Sequence, residues 1–181
     1  MIQIIKNGGC LGREFIKKLK ERNEETNKQV DIVVSDIIEN IRKNGDKALN
    51  EYTLKFDGKL PEKIEIIKSE MKELTKMCEP AFLEALIRAA ENIKDFHSRQ
   101  KQQSWLSTKQ NGVILGQRIR GLTKVGIYVP GGTAAYPSSV LMNAIPAKIA
   151  GVGEIIMVTP PGKDGKPNPN IMAAALTAGV D

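Results

Sequence analysis

A chain of 181 residues, 41% of them apolar and 27% charged, with a net charge of +6, carries enough apolar side chain for a core and reads as one large domain or one and a half small ones. No run approaches the roughly 18 consecutive apolar residues of a membrane-spanning helix, and Met1–Lys6 lacks the basic-then-apolar order of a signal peptide, so a cytoplasmic protein without a membrane partner is expected. Cys10 and Cys78 stand far apart and without ligand-like spacing, as reduced thiols, one exposed and one in the core.

The first elements are helical. Val30, Val33, Val34, Ile37, Ile38 and Ile41 recur at three- and four-residue steps, the pattern of an amphipathic helix that ends near Asn44-Gly45. Asp46 is placed to cap a second, short helix with Leu49, Tyr52 and Phe56 on its apolar side, closed by Asp57-Gly58. Ile64 and Ile66 alternate with charged residues, which predicts a short strand buried on one face. Ser69 opens a further short helix.

Pro80, in the favoured first-turn position, begins what reads as the longest helix, running to about Gln102 with an inner stripe of Phe82, Leu86, Ala89, Ala90, Ile93, Phe96 and His97. His97 is the only histidine. Its place beside that stripe fits a packed or capped residue better than a proton carrier, which would need a partner the sequence does not identify. Asn111-Gly112 is a two-residue hairpin signal between Trp105–Lys109 and Val113–Ile119. Gly121–Lys124 is the expected domain boundary, giving a mainly helical part at 1–121 and a second domain at 122–181.

That second part reads as strand, turn, helix, strand, loop, helix. Val125–Val129 is a short apolar run typical of a strand buried on both faces, and Pro130-Gly131-Gly132 turns it. Ser138 or Ser139 caps a helix to about Ala150, ended by Gly151. Glu154–Thr159 is a second strand, closed by Pro160-Pro161-Gly162, and a last helix runs from about Pro169 to Gly179. The fold class is therefore α/β: a helical N-terminal region plus an incomplete Rossmann-like parallel sheet, cut short after β-α-β-α. Strand-turn-helix units of this kind bind phosphate-bearing ligands.

Chemistry is harder to place. Val-Gly-Ile-Tyr-Val-Pro-Gly-Gly is not the GxGxxG fingerprint, yet its glycines would let a ligand approach the backbone beside Tyr128; a plain structural turn is the other reading. One histidine and two distant cysteines do not make a zinc set, and no Ser-His-Asp set or lysine-bearing phosphate loop is present. The charge is interleaved, with 12 bases against 10 acids in residues 1–60, 11 against 8 in 61–123 and 4 against 3 beyond. One bias survives: between Phe96 and Gly153 lie Arg99, Lys101, Lys109, Arg118, Arg120, Lys124 and Lys148 without an acid. Such a field favours a small anionic ligand such as a dinucleotide over a nucleic-acid backbone, with dispersed surface lysines as the other reading.

The stretch Val125-Gly-Ile-Tyr-Val-Pro-Gly-Gly-Thr-Ala-Ala-Tyr-Pro-Ser-Ser-Val-Leu-Met-Asn-Ala-Ile-Pro-Ala-Lys-Ile-Ala-Gly151 closely resembles histidinol dehydrogenase. So do Val34-x-x-Ile-Ile-x-x-Ile-x-x-x-Gly-Asp-x-Ala-Leu-x-x-Tyr52, Lys55-Phe-Asp57 and Asn92-Ile-x-x-Phe-His-x-x-Gln100. The resemblance implies an NAD- and zinc-dependent homodimer of the cytoplasm that oxidises L-histidinol to L-histidine through an aldehyde, with no nucleic-acid partner. It places Tyr128 on the family's NAD-contacting tyrosine. The family's zinc ligands, its Glu-His proton-handling pair and its substrate serine fall in segments beyond residue 181, so the expectation is an N-terminal part that is inactive by itself and holds no zinc or catalytic residue. Gly121 departs from a frequent proline. A stand-alone nucleotide- or small-ligand-binding module, and less favourably a nucleic-acid-binding protein, are the alternatives.

Overall fold

The computed structural model describes residues 10–131, 135–162 and 164–181, with the side chains of 10, 11 and 21–27 left aside. Gly132 of the expected turn and the Cys10 side chain lie outside the described residues. The chain divides into two compact units, residues 1–55 and 56–181.

In the first unit, α1 (Cys10–Asn44) is a single helix of 35 residues, the longest of those described. Gly45, at φ +54°, ends it in the left-handed region that costs glycine little. Asp46 then opens α2 (Asp46–Asp57), a carboxylate in a first turn where the helix dipole favours it. Asn40 Nδ2 donates to the Tyr52 hydroxyl at 3.0 Å and ties the two helices, and Ala48 is fully buried. Phe56, expected on the apolar side of α2, is exposed.

The second unit opens with an irregular segment. The strand expected over Ile64 and Ile66 does not form: the backbone there has no ladder partner among the described residues, and Ile66 packs against the core as a loop residue. An alternating pattern makes a strand only where another edge is available to pair with it. The α3 helix (Lys68–Thr75) starts one residue before Ser69. Its N-terminus is closed by Glu70, whose carboxylate accepts the Ile67 N–H at 3.0 Å. The α4 helix (Pro80–Ser98) has Pro80 at its first position but ends short of Gln102. Its stripe is buried at Leu86 and Ala90 and fades to the exposed Phe96.

β1 (Trp105–Thr108) and β2 (Ile114–Gln117) form the expected antiparallel hairpin, with Trp105 opposite Gln117 and Thr108 opposite Ile114. The turn is longer than the two-residue one predicted. Gly112 N–H donates to the Lys109 carbonyl and Lys109 N–H to the Val113 carbonyl, with Gly112 at φ +83°, a three-residue connection whose last position needs glycine. All eight strand residues are exposed.

β3 (Lys124–Tyr128) and β4 (Glu154–Val158) pair in parallel, Lys124 opposite Glu154 through Tyr128 opposite Val158. Between them runs α5 (Pro137–Ile149), and after them α6 (Pro169–Ala178). No serine caps α5. Pro137 takes its first position, Tyr136 precedes it, and Ser138 and Ser139 sit inside the first turn. Asn168 caps α6 through Oδ1, which accepts from the Asn170 and Ile171 amides, and Gly179 ends it at φ +77°. The helices α5 and α6 pack against each other, α6 against α3 and α5 against α4. The core is built from Val129, Val140, Leu141, Ala144, Ile145, Ile155 and the Ile171–Ala175 run of α6. The burial on both faces expected of these strands does not occur, because only one face is covered by helices: Ile155 is buried on the helix side, while Gly126, Tyr128, Ile156 and Val158 face outward. The fold is α/β, as the run of elements from Lys124 onward foretold.

Candidate functional site

The two parallel strands end side by side. Tyr128, last in β3, points away from the helices and is 67% exposed, opposite Val158 of β4. The next residue, Val129, turns inward and is fully buried, and its amide continues the ladder to the Val158 carbonyl at 3.0 Å. This one-residue alternation presents an aromatic face to solvent at the carboxyl end of a parallel pair, the end at which open α/β sheets receive their ligands.

Gly131 lies buried against the end of β4. A Cβ built on it would overlap Thr159 Oγ1 and stand 3.1 Å from the Pro160 carbonyl oxygen. Thr159 Oγ1 itself is shut off from solvent and has no hydrogen-bond partner among the described residues. Glycine is therefore required at 131 by close approach of backbone, not by backbone angle. The sequence suggests Gly131 as a place for a ligand to approach the backbone, whereas the structure sets it against Thr159, which sequence reasoning gave no role beyond ending a strand. The only sequence signal is a hydroxyl at the carboxyl end of a buried strand, directly before Pro160-Pro161-Gly162.

The other candidates separate from this site or fall silent. His97 is half-buried, with Nδ1 2.7 Å from Gln100 Oε1 and its ring edge-on to Phe96 at 5.2 Å, a residue that closes the end of α4. Cys78 is buried, and desolvation pushes its thiol pKa up, away from reactivity. Of the seven bases between Phe96 and Gly153, Arg99 pairs with Asp95, Lys124 with Glu154 and Lys148 with Asp181. Asp95 and Glu154 flank the acid-free stretch and Asp181 comes from the far end of the sequence, so the folded field is weaker than the linear count suggests. A cleft of about 660 Å³ lies between α3 and the loop at 164–167, with Lys59, Lys63, Glu70 and Asp164 in its lining; Tyr128, Gly131 and Thr159 are not part of it. Among the described residues no three His, Cys, Asp or Glu side chains come together as metal ligands, so these residues do not fit zinc. No helix among them is long and apolar enough to cross a membrane.

Comparison with known proteins converges on one family. The profile described as histidinol dehydrogenase matches residues 20–181. The chain is 53% identical over its full length to histidinol dehydrogenase of Clostridium acetobutylicum, and covers 42% of that protein. It is 52% identical over 161 residues, 89% of the chain, to the Listeria innocua histidinol dehydrogenase, covering 38% of it. The crystal structure of histidinol dehydrogenase from Elizabethkingia anophelis superposes with a TM-score of 0.77 at 34% identity, over 83% of this chain and 35% of that one. The chain thus spans about two fifths of the length of the curated relatives it matches. On sequence over its whole length and on fold, it belongs to the histidinol dehydrogenase family.

Proposed function

We propose that this chain is the N-terminal, cofactor-positioning part of a histidinol dehydrogenase, and that NAD docks at the carboxyl ends of β3 and β4 with Tyr128 lining its site. The observation that carries this reading is the exposed Tyr128 ring beside a glycine turn at the end of a parallel strand pair. Bound there, NAD would supply hydride acceptance. The chain's own residues would hold and orient it: Tyr128 by its ring face, and the Pro130-Gly131 backbone by close approach.

The activity belongs to the intact protein. That reaction is the cytoplasmic oxidation of L-histidinol to L-histidine by an NAD- and zinc-dependent homodimer in histidine biosynthesis. The division at Gly121–Lys124, just before β3, is the proposed start of its second domain; in this chain it falls inside the compact unit 56–181. Calorimetric titration of NAD into the 181-residue chain tests the reading. Saturable binding weakened about tenfold by Tyr128→Ala is expected, a loss of roughly 1.4 kcal/mol. An affinity unchanged by that substitution would return Tyr128 to an ordinary surface residue.

A further inference from the structure

We propose that the outward face of the β3–β4 pair is self-complementary, and that two copies of the chain meet on it about a two-fold axis parallel to the strands. Its residues stand in three rows set by the strand register: Lys124 beside Glu154, Gly126 beside Ile156, and Tyr128 beside Val158. Gly126 is the residue that the chain by itself does not explain. It lies inside a strand without a positive φ, and a Cβ added to it would meet nothing within 4 Å among the described residues. Glycine weakens a strand interior, and where it is used there another surface commonly comes close.

An axis along the strands lays each copy's β3 over its partner's β4. Ile156 then enters the open space above the partner's Gly126, Tyr128 covers the partner's Val158, and Lys124 faces the partner's Glu154. Lys124 and Glu154 already pair at 2.8 Å within the chain, with neither side chain buried, so the four charges alternate in sign around a square. The other two-fold, across the strands, sets Gly126 on Gly126, Ile156 on Ile156 and Glu154 on Val158. That leaves a gap, a bulge and a carboxylate on an apolar surface. Five residues per strand at about 3.3 Å each, on strands about 4.8 Å apart, make a patch of roughly 17 by 10 Å. Stable complexes bury about 800 Å² per partner, so this pair is weak, with a dissociation constant on the order of 100 µM. Pairing covers the Tyr128 ring. Resting on the reading of that ring as part of the NAD site, pairing and NAD binding exclude each other.

Sedimentation velocity over a concentration series of the 181-residue chain tests this. Wild type should associate, whereas Gly126→Val, which fills the space the partner needs, should stay monomeric with an undiminished melting temperature. Association of Gly126→Val at wild-type strength would overturn the inference. Lys124→Glu and Glu154→Lys should each weaken association about five- to tenfold, and an equimolar mixture of the two should restore it, because every facing pair is again opposite in sign. A mixture that associates no more strongly than its components would rule out the axis along the strands. With NAD at ten times its own dissociation constant, the dimer constant should rise about 100-fold, since both copies must be free to pair. A dimer constant unmoved by bound NAD would sink the exclusion. A chain that takes up no NAD would overturn the reading of Tyr128, while Gly126→Val and the mixture would still decide the pairing.

Discussion

Asp181 and Ile155 are joined by two hydrogen bonds. The Asp181 amide donates to the Ile155 carbonyl at 3.0 Å, and its Oδ2 accepts the Ile155 N–H at 3.0 Å. Ile155 is a fully buried residue of β4, and the groups involved are those β4 turns away from β3. The same carboxylate meets Lys148 Nζ at 2.6 Å and Lys68 Nζ at 3.2 Å. Asp181 thus closes one rung of a β4 edge that has no other strand among the described residues, and ties it to α5 and α3.

A pH dependence follows. The Lys148 hydrogen bond first, and the Ile155 amide second, hold the Asp181 carboxyl well below the usual carboxylate range. A carboxyl depressed in the folded state contributes stability above its unfolded pKa of about 4, and that contribution is lost as pH falls from there toward the folded value. Asp181→Asn should therefore melt at a lower temperature than wild type at pH 7, and the difference should shrink steadily below about pH 4. A gap that stays constant from pH 7 to pH 3 would mean that shape rather than charge matters at this position.

Gly131→Ala places a methyl group on Thr159 Oγ1. Overpacking of this kind costs about 1–3 kcal/mol, readable as a lower urea midpoint. In a Thr159→Ala background the obstructing oxygen is gone and the penalty should fall by at least half. Equal penalties in both backgrounds would mean that the Pro160 carbonyl, not Thr159, limits the turn.

Adjacent residues of β4 should behave in opposite ways. Ile155 is fully buried and Ile156 is 44% exposed, so Ile155→Ala should cost about 2–5 kcal/mol and Ile156→Ala less than about 1 kcal/mol. Comparable losses from the two would show that the outward face of the sheet is covered in solution.

That outward face carries Tyr128, Ile156 and Val158 side by side, and parallel sheets are ordinarily covered on both faces. Concentration-dependent association of the isolated chain is the expected result by light scattering. Val158→Lys, on a residue 57% exposed, should suppress it with little change in melting temperature. Association that persists in this variant would locate the contact elsewhere.

Much of this architecture was legible because its punctuation is local. Val125–Val129 and Glu154–Thr159 are short apolar runs between glycine and proline signals, and Gly151 and Gly179 adopt the positive φ their placement implied. The Ile64–Ile66 alternation misled because pairing, not pattern, makes a strand. The start of α1 was missed because the polar stretch from Lys20 to Lys28 has no apolar period to count, although it continues the helix. At the candidate site, Tyr128 was visible as an aromatic residue ending a strand, whereas the unpartnered state of Thr159 arises only when Gly131 folds against it. No window of sequence contains both residues as neighbours.

The β1–β2 hairpin is joined by its own short turn, with every strand residue exposed. Opening it uncovers little apolar surface, so its amides should exchange through a local event far cheaper than global unfolding. A protease should likewise cut within 105–117 while Leu141, Ile155 and Ile171 remain packed, leaving a nicked protein whose melting temperature is nearly that of the intact chain.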